Sequence, residues 1–236
     1  ADVWHAYECS FLRSTGVPIV GILKLIVPAS STNIIESKSL KLYLNSFNMT
    51  RIKGSKSAAI QGVCLTIKTD IENIIDSKIQ VNFFDEEYDA SLFDFADYPV
   101  LEKLTGEHLT IESYTENQSY LATHSNSNSL NVVSHLLRSN CKVTKQPDWG
   151  SVYIYMEGSK VPDKTALLKY IISLRNENHF HEEICELIYK RLNDHFAPEE
   201  LQVCCLYTRR GGIDINPVRS KNASYRLLNL VQADKL

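Results

Sequence analysis

Residues 3–12 are rich in strand formers, and simple alternation puts Val3, Tyr7, Cys9 and Phe11 on one face. A turn around Gly16 leads to residues 19–27, a β-branched run stopped by Pro28, so the two segments predict a hairpin. Leu40, Tyr43, Leu44 and Phe47 then recur at helical spacing, and Ile60, Val63, Cys64, Ile67, Ile71 and Ile74 predict a second helix. Ile79, Val81 and Phe83 alternate as a strand, and residues 109–114 predict another.

The same order returns further along. Residues 132–141 and 152–156 predict strands. Leu167, Tyr170, Ile171 and Leu174 repeat the spacing of the first helix at an offset of 127 residues, and Ser46 and Ser173 share that offset. Ile184, Leu187, Ile188 and Leu192 predict a further helix, and Leu201-Gln202-Val203 mirrors Ile79-Gln80-Val81. A series of ββααββ read twice indicates an internal duplication. The expected class is α+β, with two modules that are each an antiparallel sheet carrying two consecutive helices on one face. We place the modules at residues 1–118 and 119–236, and read the acidic, then polar stretch 85–129 as a linker with one strand inside it. No strand–GxGxxG–helix unit exists and only nine glycines occur, which argues against a Rossmann cofactor domain.

Composition narrows the class further. Of 236 residues, 44% are hydrophobic and 22% charged, which suits a globular chain with a substantial core. The net charge of -3 offers no basic field for nucleic acid. The longest apolar stretch, residues 19–27, is interrupted by Gly21 and Lys24 and is too short to cross a bilayer. Six cysteines include no CxxC pair, and Cys204 and Cys205 are adjacent, which fits neither a zinc site nor a secreted disulfide framework. We therefore expect reduced thiols in a cytoplasmic protein, with neither a membrane nor a nucleic acid as direct partner. Ala1 opens directly into strand-like sequence without a visible signal peptide, so further residues are expected upstream.

Four stretches could carry chemistry. In Ser139-Asn140-Cys141-Lys142-Val143-Thr144-Lys145-Gln146-Pro147-Asp148-Trp149-Gly150-Ser151, Cys141 ends a strand while Pro147 and Gly150 bracket Asp148 in a turn. A thiol and a carboxyl on neighbouring strand ends could supply a nucleophile and a proton donor that share one proton. A buried Cys and a turn-forming Asp is the structural alternative. Phe180-His181-Glu182 opens a helix, where the acid could cap the N-terminus or, with His181, orient a polar ring. Ile35-Glu36-Ser37-Lys38-Ser39 opens another, with Ser37 as expected N-cap, Glu36 able to accept from a ring N–H pair and Lys38 able to meet phosphate. Thr208-Arg209-Arg210-Gly211-Gly212 could cradle phosphate on flexible glycines, or be a solvated basic turn.

In combination these motifs, with residues 36–47 and 207–217, resemble the NADPH-dependent 7-cyano-7-deazaguanine reductases (the QueF family) over nearly the whole chain. The resemblance implies the longer, two-module branch of a tunnelling-fold family and the reduction of a nitrile to an amine in queuosine biosynthesis. It implies Cys141 as the nucleophile of a covalent thioimide and Asp148 as the proton donor. Ile35, Glu36, Ser37, His181 and Glu182 would bind the deazaguanine, and Ser37, Lys38, Arg210 and Gly211 would bind NADPH, used twice per turnover with no metal. A small-molecule substrate and a homo-oligomer, expected to be a homodimer, complete the reading. At the offset of 127, Phe180-His181-Glu182 corresponds to Lys53-Gly54-Ser55, and residues 35–39 to Pro162-Asp163-Lys164-Thr165-Ala166, so each half keeps what the other lacks. One composite site per chain is expected, between modules or across a subunit interface. A cyclohydrolase-type enzyme on the same fold, which would need metal ligands, and a non-catalytic purine-binding module are the alternatives.

Overall fold

The structure is a computed structural model that describes residues 1–85, 97–105 and 109–222. These divide into two compact units, one of residues 1–85 and 209–215, the other of residues 97–105, 109–208 and 216–222. The chain is α+β, with antiparallel sheet and helices in both units.

In chain order the first unit runs β1 (Asp2–Arg13), β2 (Pro18–Val27), α1 (Ser37–Asn45), β3 (Arg51–Ile52), α2 (Lys56–Ile75) and β4 (Gln80–Phe84). β2 pairs antiparallel with β1 on one side and β4 on the other, while β3 lies parallel to the end of β1. The face expected for β1 is corrected by a bulge between Ala6 and Cys9. One extra residue reverses the alternation, so Trp4 and Ala6 before the bulge, and Cys9 and Phe11 after it, all enter the core under the helices. Tyr7 packs instead with Ile22, outside that core. In α2 the buried stripe is Ala59, Val63, Ile67, Ile71 and Ile75. It follows i+4 steps, which leaves Ile74, about 100° round the helix from Ile75, exposed.

The second unit runs α3 (Leu101–Leu104), a 3-10 turn (Gln118–Ala122), β5 (His124–Ser125), β6 (Ser129–Asn140), β7 (Pro147–Glu157), β8 (Val161–Pro162), α4 (Lys164–Ser173), a 3-10 turn (Leu174–Asn176), α5 (His181–Phe196) and β9 (Glu200–Tyr207). The last strand, β10 (Ile213–Ser220), belongs to this unit from residue 216 onward and pairs with β9 through Val218, Arg219 and Ser220. Within the unit the order is β6–β7–β9–β10. The order strand–strand–helix–helix–strand thus occurs in both units, and β6 repeats β1 residue for residue at the offset of 127. The bulge is duplicated as well, displaced by one residue, since β6 slips between Ser134 and Leu137 where the offset of 127 from Ala6 and Cys9 points to residues 133 and 136. The N-caps Glu36 and Asp163 keep the same offset, but Ser55 and Phe180, which open α2 and α5, stand 125 apart. By helix position the counterpart of His181-Glu182 is therefore Lys56-Ser57, which still carries neither His nor Glu.

Two expectations for residues 97–129 fail. Residues 109–114 form no strand. Nor does the stretch behave as a linker, because Leu101 and Leu121 are buried in the core of the second unit beside Leu167 and Ile171. Glu102 also accepts the His135 N–H at 2.6 Å, closing part of the outer edge of β6.

Candidate active site

Cys141 directly follows β6, and Asp148 lies one residue into β7, paired across the strands with Ser139. The turn is thus residues 141–146, not the Pro147–Gly150 bracket that the sequence suggested. Pairing of Asn140 with Pro147 needs no N–H from the proline ring to continue the strand outward. Cys141 N–H donates to the Gln146 carbonyl at 2.8 Å, and Lys145 N–H to the Cys141 carbonyl at 2.9 Å. Lys145 takes a left-handed φ of 59°, which costs a non-glycine residue about 1 kcal/mol, so the turn is tightly constrained. Its shape serves the thiol. Partial burial raises the Cys141 pKa, but the Thr144 hydroxyl and the N–H groups of Thr144 and Val143 outweigh that, and the net shift is downward despite Asp148. The other described thiols with a resolved shift, Cys9, Cys64, Cys204 and Cys205, are all pushed up by burial.

The end of β6 also positions the start of α5. Asn140 N–H donates to the Glu177 carbonyl at 2.8 Å, and His179 N–H returns to the Asn140 carbonyl at 3.1 Å. His181, the first residue of α5, then places its Nε2 3.4 Å from Oδ2 of buried Asp148. Its ring stacks on Tyr207, with centroids 3.8 Å apart and planes 6° apart. The capping role falls to Glu183, which accepts the Phe180 N–H at 2.8 Å and pairs with Lys142 at 2.7 Å. Glu182 is buried instead. Beside Asp148 the buried Tyr207 hydroxyl and Ser139 are within reach of each other, whereas buried His181 Nδ1 has no hydrogen-bond partner among the described residues. Buried polar atoms are usually satisfied, so His181 Nδ1 marks a place for water or ligand. Tyr207 was not singled out from sequence; a lone aromatic closing a strand gives no signal until its stacking partner is known.

Ile35, Glu36, Ser37 and Lys38 belong to the first unit, and so do Arg210 and Gly211. The cap of α1 is Glu36, not Ser37. Its two oxygens take Lys38 N–H at 3.1 Å and Ser39 N–H at 2.7 Å, which a carboxylate can do and a single hydroxyl cannot. Ser39 Oγ donates to it as well, and the Ser39 bonds hold the exposed carboxyl below the usual carboxylate range. Gly211 and Gly212 are the centre of a closed turn rather than flexible chain, with φ of 62° and 79° and Arg210 N–H bonded to the Ile213 carbonyl. A Cβ on Gly211 would stand 2.9 Å from Lys41 Nζ. Lys41 lies one helical turn beyond Ser37 and Lys38 on α1. An exposed turn of two arginines with Lys41 beside it and a left-handed glycine at 211 can receive an anionic group. Among the described residues, no group of three or more His, Cys, Asp or Glu could hold a metal ion. No helix among them is long and apolar enough to cross a membrane.

This geometry combines an activated thiol with a buried carboxyl, an arrangement suited to addition at an electrophilic carbon. Comparison with known proteins points the same way. The family described as "Nitrile reductase, 7-cyano-7-deazaguanine-reductase N-term" matches residues 1–83, and "QueF-like protein" matches residues 147–226. The chain is 41% identical over 228 residues to the NADPH-dependent 7-cyano-7-deazaguanine reductase of Coxiella burnetii, covering 97% of this chain and 79% of that one. It is 40% identical over 226 residues to the enzyme of the same name from Colwellia psychrerythraea, covering 94% and 77%. The solved apo structure of the archaeosine synthase QueF-Like, 16% identical, covers 41% of this chain and 95% of its own at a TM-score of 0.37. The chain belongs to the NADPH-dependent 7-cyano-7-deazaguanine reductase family.

Proposed function

We propose that this protein reduces the nitrile of 7-cyano-7-deazaguanine to the aminomethyl group at the expense of NADPH, the step that queuosine biosynthesis requires. The observation that carries the reading is the downward-shifted Cys141 thiol at a strand end beside buried Asp148, in a chain of this family. Cys141 and Asp148 share one proton: an ionised Asp148 disfavours the thiolate, and passage of the proton to Asp148 frees the thiolate to add. Thiolate addition to the nitrile carbon turns the triple bond into a thioimide, and the Asp148 proton goes to the nitrogen as it gains charge. After the first hydride reaches the carbon, the C–S bond breaks, which returns Cys141 as thiolate and leaves an imine for the second; NADPH would supply both hydrides. Desolvation around buried Asp148 strengthens each polar contact to the bound base.

Ile35, Glu36, Ser37, His181 and Glu182 are proposed as the residues that contact the deazaguanine. Glu36 spends only part of its acceptor capacity on the cap, since an ionised carboxylate offers about four lone-pair sites. Ser37, Lys38, Arg210 and Gly211 are proposed to bind NADPH, supported by the cationic, glycine-centred turn and its lysine neighbours. Incubating the protein with 7-cyano-7-deazaguanine and following NADPH absorbance tests the reading. Two NADPH consumed per amine formed is the expected result; a folded protein that leaves NADPH untouched contradicts it.

A further inference from the structure

The first unit contains a buried polar cluster that no step above uses. His5, Tyr7, Lys24 and Asp214 are each at least 96% buried in relative surface terms, with exposures of 1%, 2%, 1% and 4%. They come from three segments. His5 and Tyr7 are on β1, Lys24 on β2 is the direct cross-strand partner of His5, and Asp214 follows the Gly211-Gly212 turn. The two oxygens of Asp214 are divided between two donors. One lies 2.8 Å from His5 Nδ1, and the other accepts the Tyr7 hydroxyl at 2.8 Å.

Tyr7 reaches the turn in three separate ways. Its N–H donates to the Gly212 carbonyl at 2.9 Å, its ring lies 4.3 Å under the Arg209 guanidinium, and its hydroxyl holds Asp214. The neighbouring Glu8 carboxylate occupies the place where a Cβ on Gly212 would sit, 2.6 Å away. A solvated basic turn needs none of this. Burying a carboxylate and a lysine is costly, and such groups are retained where they fix one geometry. Here the geometry fixed is that of Arg209, Arg210 and Gly211.

We propose that Tyr7 and Asp214 are positioning residues for the cofactor. They hold the 209–212 turn in the conformation that presents its cations to the phosphates of NADPH. His5 orients Asp214 from the far side, and the Tyr7 ring carries Arg209. This rests on the reading of Arg210 and Gly211 as NADPH contacts, so the experiment separates the two ideas.

Tyr7→Phe keeps the ring and the N–H and removes only the hydroxyl; Asp214→Asn removes the acceptor charge. Each is measured beside Arg210→Ala, in the full chain, for NADPH KM, kcat at saturating NADPH and formation of the covalent adduct without NADPH. Tyr7→Phe is expected to raise the NADPH KM about tenfold, the equivalent of one lost hydrogen bond to a charged group, with kcat and adduct formation retained. Tyr7→Leu, which also loses the ring under Arg209, is expected to raise it further. If Arg210→Ala raises KM while Tyr7→Phe and Asp214→Asn both leave it unchanged, the positioning role is wrong and the cofactor reading survives. If Arg210→Ala leaves KM unchanged, the cofactor reading itself fails, and the positioning role with it. Should Asp214→Asn not fold, Tyr7→Phe decides alone.

Discussion

His181 lies flat on Tyr207, ring centroids 3.8 Å apart, and the stack aims its Nε2 at Asp148 from 3.4 Å. The face of the tyrosine sets the imidazole plane, while its buried hydroxyl turns to Ser139. Tyr207→Phe, which keeps the stack and removes only the hydroxyl, is expected to keep adduct formation. Tyr207→Leu, without the stack, should slow adduct formation by about 2- to 12-fold, the equivalent of about 0.5–1.5 kcal/mol for an aromatic pair. Equal losses in both variants would assign the hydroxyl, not the ring, to the site.

The thiols differ enough to be told apart chemically. Cys141 is partly exposed and shifted below the ordinary thiol value, whereas burial pushes Cys9 up to about 12 and holds Cys204 and Cys205 well above the usual range. Only the thiolate reacts with iodoacetamide. Because a lowered pKa means thiolate at lower pH, labelling of Cys141 should rise with pH through a midpoint below that of free cysteine. Cys9, Cys204 and Cys205 should label only after unfolding. Peptide mapping of labelled protein checks this, and early labelling of Cys204 would contradict the burial argument.

Much of this was legible in the chain itself, for identifiable reasons. Helical spacing at Leu40-Tyr43-Leu44 and at Leu167-Tyr170-Ile171 located both first helices, since burial of one face imposes the period. The phase of β1 was lost at the Ala6–Cys9 bulge, because an inserted residue leaves no mark on composition. Residues 97–129 look polar enough to be a linker, and only packing reveals Leu101 and Leu121 as core. Glu36 displaced Ser37 as cap because two oxygens satisfy two free N–H groups. Cys141 and Asp148 were recognisable as a pair, but the turn that separates them was drawn too late in the chain.

Asp148 enters the thiol chemistry with two opposite effects. Its charge raises the Cys141 pKa, so Asp148→Asn should move the labelling midpoint of Cys141 still lower. The same variant removes the proton donor, and NADPH-dependent turnover should fall by about 10²–10⁴. A lower midpoint with unimpaired turnover would leave Asp148 an electrostatic neighbour only.

Lys24 offers a test through stability. Burial lowers its pKa from the ordinary 10.5 to about 8, although Asp214 opposes the shift. A base with a depressed folded pKa penalises the folded state below that value. The penalty, about 3 kcal/mol at 1.36 kcal/mol per unit, disappears as pH rises from about 8 to 10.5. The stability of the wild type relative to Lys24→Met should therefore increase between pH 7 and pH 10, measured by urea unfolding at each pH. A gap that is constant over this range would show that Lys24 titrates normally.

The claim on which the account turns is that Cys141 itself forms the bond to the nitrile carbon. Intact-mass measurement of the protein mixed with 7-cyano-7-deazaguanine, without NADPH, addresses it directly. The account predicts a gain of the full mass of the base, mapped to Cys141 and absent from Cys141→Ala. An adduct mapped to Cys64 or Cys185, or one that persists in Cys141→Ala, would contradict it.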